Sequence, residues 1–178
     1  MNNFNDMNLS EGNSNILCFL ENTKIFTNHG YIPIEKIKIG DFVKTLNNYK
    51  CVYGIGTKNL FHEASLDRIK DQLYVLKSKH NYDDLIITGT HSLLVDHFPS
   101  EEIKEQTQDL LGKIYLTDNM YRLPACLNPL FDVYPIAGNY PVYHIALENE
   151  DYYGNYGIWA NGVLTESCSK RIVDQYLN

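Results

Sequence analysis

Apolar residues recur along this chain singly or in short runs, separated by polar and turn-forming residues, and that spacing predicts many short strands. Ile25-Phe26-Thr27 reads as a strand and His29-Gly30 as a turn. Ile32, Ile34, Ile37 and Ile39 follow with polar residues between them, and Gly40-Asp41 is a second turn before Phe42-Val43. Thr45 to Tyr49 forms a polar turn with Asn47-Asn48 at its tip, and Lys50 to Gly56 returns as a strand. Gln72 to Lys77, Leu85 to Thr88 and Leu93 to Val95 are further strands, with Asn81 to Asp84 a turn between the first two. Near the end, Val142 to Leu147, the polar stretch Glu148 to Asn155, Tyr156 to Ala160, Asn161-Gly162 and the run toward Cys168 read as strand, turn, strand, tight turn and strand.

Helical periodicity is convincing only over Glu101 to Leu111, a solvated insertion with Pro99-Ser100 as its start. Phe61 to Asp71 is polar and irregular, which places His62 on the surface. Tyr121 to Leu127 begins another β segment, and Asp118 and Asp132 are ordinary surface acids. Met1 to Asn15 is rich in Asn, Asp, Ser and Gly and reads as a flexible leader; Ser169 to Asn178 reads as a short tail with one helical turn. Strands and helices do not alternate, so the expected class is all-β with about one short helix. Periodicity alone leaves sandwich and barrel open.

Composition narrows the function classes. At 178 residues and 44% hydrophobic content the chain can bury one real core. A formal net charge of -7 argues against a general nucleic-acid binder. Fourteen Tyr and seven Phe suit pleated surfaces. The four cysteines, Cys18, Cys51, Cys126 and Cys168, contain no CxxC pair, which argues against a zinc ribbon or a thioredoxin-like site. The opening residues lack a basic region and an apolar run, and no stretch is apolar enough to cross a bilayer, so an intracellular chain with reduced thiols is expected. Such thiols can be nucleophiles. Cys18, at the front of a β unit, is either a buried small hydrophobe or a positioned nucleophile; Cys51, at a mid-strand apolar position, suits a core thiol.

The ordered set Cys18, Thr23, Ile25, Thr27, Gly30, Ile34-Glu35, Ile37, Gly40-Asp41, Val43 resembles the first sequence block of Hint domains, the self-processing domains shared by inteins and Hedgehog proteins. Thr88-Gly-Thr-His91 resembles the family's TxxH motif, which is a weak signal alone and gains specificity from the flanking apolar strands. Val142-Tyr-His-Ile145 and Ile158-Trp-Ala-Asn-Gly-Val-Leu164 resemble its penultimate block. The likeness runs from Cys18 to about Cys168. It implies a horseshoe-like fold of curved β-hairpins, with residues 1–17 as leader, 18–168 as the Hint domain and 169–178 as tail.

The resemblance also implies a chemistry. Cys18 would attack the carbonyl of Leu17 in an N–S acyl shift, making Leu17–Cys18 the scissile bond. His91 would protonate the departing nitrogen, and Thr88 would hydrogen-bond the same peptide unit. His144 falls where many inteins carry Asp; it either assists acid–base steps or packs in the hairpin. Inteins end in His-Asn before Cys, Ser or Thr, whereas here Glu166 and Ser167 precede Cys168. Ser167 has no carboxamide to cyclise, so full splicing is not expected. Cys168 is a possible secondary nucleophile or a core thiol. The expected partners are the chain's own leader in cis and water or a small nucleophile as acyl acceptor, with a monomer, no metal, no organic cofactor, no nucleic acid and no membrane. The alternative is a catalytically degenerate Hint fold acting as a structural or protein-binding module.

Overall fold

The computed structural model describes residues 17–177. The expected leader, save Leu17, therefore lies outside the described residues. In chain order the strands are β1 (Phe19–Leu20), β2 (Lys24–Thr27), β3 (Gly30–Pro33), β4 (Phe42–Lys44), β5 (Tyr49–His62), β6 (Leu73–Leu76), β7 (Leu85–Thr88) and β8 (Ser92–Val95). After helix α1 (Glu101–Leu111) come β9 (Leu116–Thr117), β10 (Met120–Pro124), β11 (Phe131–Val133), β12 (Gly138–Leu147), β13 (Gly157–Ala160) and β14 (Val163–Glu166), then helix α2 (Lys170–Leu177). The architecture is all-β and its strand ladders are antiparallel.

Along the sheet the order is β11-β6-β7-β1-β12-β5-β4-β2-β13-β14-β8-β10-β9, with β3 paired to β2. The long strand β5 joins the two halves. Its first residues pair with β4 (Phe42 opposite Cys51), and the rest pair with β12 from Leu147 opposite Val52 to Gly138 opposite His62. Phe19, Ile25, Ile34, Val43, Ile87, Ile145 and Ile158 are fully buried in one core cluster. Each such side chain contributes about 1.5–3 kcal/mol on burial.

Local chemistry explains the element ends. Ser100 caps α1 by accepting a hydrogen bond from the Ile103 N–H, and Gly112 closes it in the left-handed region at φ 84°. Asn161 and Gly162, at φ 46° and 78°, form the tight turn between β13 and β14. The Asn161 carboxamide accepts from the Lys24 N–H at 2.8 Å and donates to the Asp84 carbonyl at 3.0 Å, so the turn also ties β2 to the segment before β7.

The structure corrects three expectations. β5 runs on to His62, whose ring is 1% exposed: Nε2 bonds the Tyr134 carbonyl at 2.7 Å and Nδ1 accepts from the Leu73 N–H at 3.0 Å. The inward alternation simply continues through Leu60 and His62. Asp118 is a cross-strand tie, accepting the Gly157 N–H at 2.7 Å. The tail forms two turns of helix rather than one, because Val173 is fully buried against Ala146 and Cys168.

Candidate active site

Cys18 enters between β7 and β12 and is completely buried. Its N–H donates to Thr88 Oγ1 at 3.1 Å, and its carbonyl accepts from the Thr88 N–H at 3.1 Å. Thr88 thus grips the nitrogen of the Leu17–Cys18 peptide with its side chain. The turn after β7 brings His91 back over the same residue: its Nδ1 lies 3.1 Å from the Cys18 carbonyl oxygen, and its Nε2 lies 2.9 Å from the Glu166 carbonyl oxygen. Both partners are carbonyl oxygens, which accept and never donate, so an imidazolium satisfies both and a neutral ring only one. Phe19 packs edge-on against the His91 ring, with centroids 4.3 Å apart.

The turn itself is pinned. Ala125 N–H donates to the His91 carbonyl at 2.9 Å and Cys126 N–H donates to the Gly89 carbonyl at 3.0 Å. Gly89 is required there, since a side chain would strike the Ile69 carbonyl.

From β12, His144 reaches the thiol: Cys18 Sγ and His144 Nδ1 are 3.7 Å apart. Burial pushes the Cys18 thiol up to about 12, with the Lys58 charge pulling weakly the other way. Burial likewise draws His144 down to about 4, helped by Lys58 and His91. At neutral pH the pair is therefore a thiol and a neutral imidazole. Cys168 also lies near Cys18. Its N–H donates to the Ile145 carbonyl at 2.9 Å, it bridges Ala146, and burial followed by the nearby Cys18 and Glu166 pushes its thiol well up. Leu17 packs on the small cluster formed by Ala146, Cys168 and Val173.

The structure therefore brings Cys18, Thr88, His91, His144 and Cys168 together around Leu17–Cys18. Cys51 and Cys126 are partly buried elsewhere, and all four thiols are free. Among the described residues no cluster of His, Cys, Asp or Glu could hold a metal ion, and no helix is long and apolar enough to cross a membrane.

A family model described as the Hint domain matches residues 17–171. This chain belongs to the Hint-domain family. No curated protein matches it. Among solved structures, a bacterial intein-like domain from Clostridium thermocellum superposes at a TM-score of 0.52 and 15% identity, covering 85% of this chain and 99% of that one. The gp41-1 intein superposes at 0.48 and 15% identity, covering 84% of this chain and 98% of that one. At 15% identity the likeness to the Clostridium thermocellum domain speaks for the fold, which is the intein-like Hint fold.

Two features of this Hint domain's site escaped sequence reasoning. Gly56 lies opposite His144 in the β5–β12 ladder, and a side chain there would fall on the imidazole. Glu166 places its carboxylate in a buried polar network with Ser92, Arg122 and Asn155. A glycine in a strand marks close approach of something, which was the available signal for Gly56. Nothing local in the sequence pairs Glu166 with Arg122.

Proposed function

We propose that this Hint domain cleaves its own Leu17–Cys18 bond through a thioester, without splicing, with residues up to Leu17 as the leader released in cis. The convergence of Thr88, His91 and His144 on Cys18 carries the reading. The Cys18 sulfur attacks the Leu17 carbonyl carbon; the S–C bond forms as the C–N bond breaks. His144 Nδ1 takes the thiol proton as the sulfur attacks, which suits a neutral imidazole facing a thiol that does not ionise on its own. His91 changes partner from the Cys18 carbonyl oxygen to the Cys18 nitrogen and supplies the proton that makes it a leaving amine. Thr88 holds that nitrogen in place beforehand. Water or a small nucleophile then attacks the thioester, giving a leader ending at Leu17 (as a carboxylate when water attacks) and restoring the Cys18 thiol.

A second reading, a catalytically idle Hint fold serving as a binding module, is favoured by one observation: Cys18 has no exposed surface and its thiol stays protonated. Intact-mass measurement over a day at neutral pH, with and without dithiothreitol and beside Cys18→Ala, separates the two. Thiol-accelerated loss of residues 1–17, absent in Cys18→Ala, is the expected result. A stable full-length mass in every sample would transfer the assignment to the binding module.

A further inference from the structure

The Glu166 carboxylate is 2% exposed, yet three chain segments, carrying His91-Ser92, Arg122 and Asn155, converge on it or its carbonyl. Oε1 accepts the Ser92 N–H at 3.1 Å; Oε2 accepts Asn155 Nδ2 at 3.2 Å and lies 3.2 Å from Arg122 Nε. The Glu166 carbonyl receives His91 Nε2. Arg122 is itself fixed: Nε donates to Thr117 Oγ1 at 2.7 Å and Nη2 donates to Asn155 Oδ1 at 3.0 Å. Thr117 Oγ1 in turn donates to Asn155 Oδ1 at 2.8 Å, and Asn155 Nδ2 also donates to the Ser167 carbonyl at 2.8 Å. Both arms of the network therefore end on the two sides of one residue. The carboxylate holds the backbone immediately after His91, and the strand end carrying the carboxylate holds the far nitrogen of the His91 ring.

A pair of charges this buried adds little stability over apolar residues of similar volume, because desolvation offsets the attraction. What it supplies is direction: Arg122 donates through Nε to Thr117 and through Nη2 to Asn155 while its charge lies against Oε2, an arrangement that apolar side chains of similar volume would not fix. We propose that Arg122 and Asn155, acting through Glu166, form a positioning clamp that aims the His91 ring at the Cys18 peptide unit. On this view the β9–β10 hairpin is part of the catalytic apparatus, although it contributes no residue that touches Cys18. The proposal rests on the self-cleavage reading for its consequence, but the clamp itself can be observed without cleavage.

The test uses the full chain in a Cys18→Ala background, where no thioester forms, and follows the His91 ring by nitrogen-edited NMR. A ring N–H bonded to a buried carbonyl exchanges slowly and is visible. A His91 ring N–H signal, from Nε2 on the Glu166 carbonyl or Nδ1 on the Cys18 carbonyl, is expected in the parent. It should vanish, or its exchange should quicken at least about tenfold, in Arg122→Met, while Arg122→Lys retains it in part. In the Cys18 chain, Arg122→Met should slow thiol-induced cleavage by about tenfold to a hundredfold, the size of a misaimed catalytic group, with Arg122→Lys recovering a share. If Arg122→Met does not fold, Glu166→Gln keeps the shape of the network without its charge, and the same two readouts apply. A folded Arg122→Met or Glu166→Gln with an unchanged His91 ring signal would overturn the clamp. An altered ring signal in a protein whose Cys18 parent never cleaves would leave the clamp standing and overturn the self-cleavage reading instead.

Discussion

Gly56 and His144 face each other across the β5–β12 ladder, and the imidazole occupies the space a Gly56 side chain would need. A missing Cβ on one strand is what lets a ring on the next lie flat enough to reach the Cys18 sulfur.

Gly56→Ala is therefore expected to push His144 off the thiol. Overpacking should cost about 1–3 kcal/mol, read by urea denaturation. Losing a positioned base should slow thiol-induced cleavage by about a hundredfold or more. Wild-type cleavage in a folded Gly56→Ala chain would remove His144 from the mechanism.

Thr88→Val keeps the shape of Thr88 and deletes the acceptor for the Cys18 N–H. A buried donor left unpaired costs about 1–3 kcal/mol, and the peptide loses its hold. Both stability and cleavage rate should fall, and Thr88→Ser should restore both. Equal rates for Val and Ser would mean that the hydroxyl only packs.

The pH dependence of stability follows from His144. Its folded value is about 4 against an ordinary 6.5, chiefly through burial. The unfolded chain binds the extra proton first as pH falls, so the contribution is fully present above about 6.5 and is lost on the way down to about 4. The loss should be on the order of 3 kcal/mol. Denaturation midpoints at pH 7.5, 5 and 4 should show it, and His144→Gln should flatten that part of the curve. A parallel curve in His144→Gln would assign the acid sensitivity to other groups.

The Cys18 thiol, buried and pushed up to about 12, should resist alkylation by iodoacetamide at pH 8 in the folded chain. Cys51, which is partly exposed, should be labelled first, and Cys18 only after urea is added. Peptide mapping of the labelled chain reads the order. Rapid labelling of Cys18 under native conditions would show that the site opens readily.

Much of this was legible in the sequence, for physical reasons. The strands around Cys18 and the Thr88-to-His91 turn are built from contiguous residues, so alternation and turn chemistry reveal them. The helix at Glu101–Leu111 announces itself by Pro99-Ser100 at its start, and Ser100 is its cap. What stayed hidden depends on who sits across a ladder or on the far side of a core. His62 looked exposed because the stretch after it is polar; it is buried because β5 runs on beside β12 and the ring is held between the Tyr134 carbonyl and the Leu73 N–H. Glu166 reads as a departure from the intein ending, and only the fold shows that Arg122 and Asn155 give it a position to hold.

Leu17 and Cys168 rest against the same small cluster on β12 and α2. The chain therefore enters and leaves the core through one doorway. A segment joined before Leu17 starts beside Cys168, so the two ends of the β domain stand at one place and share one set of packing partners.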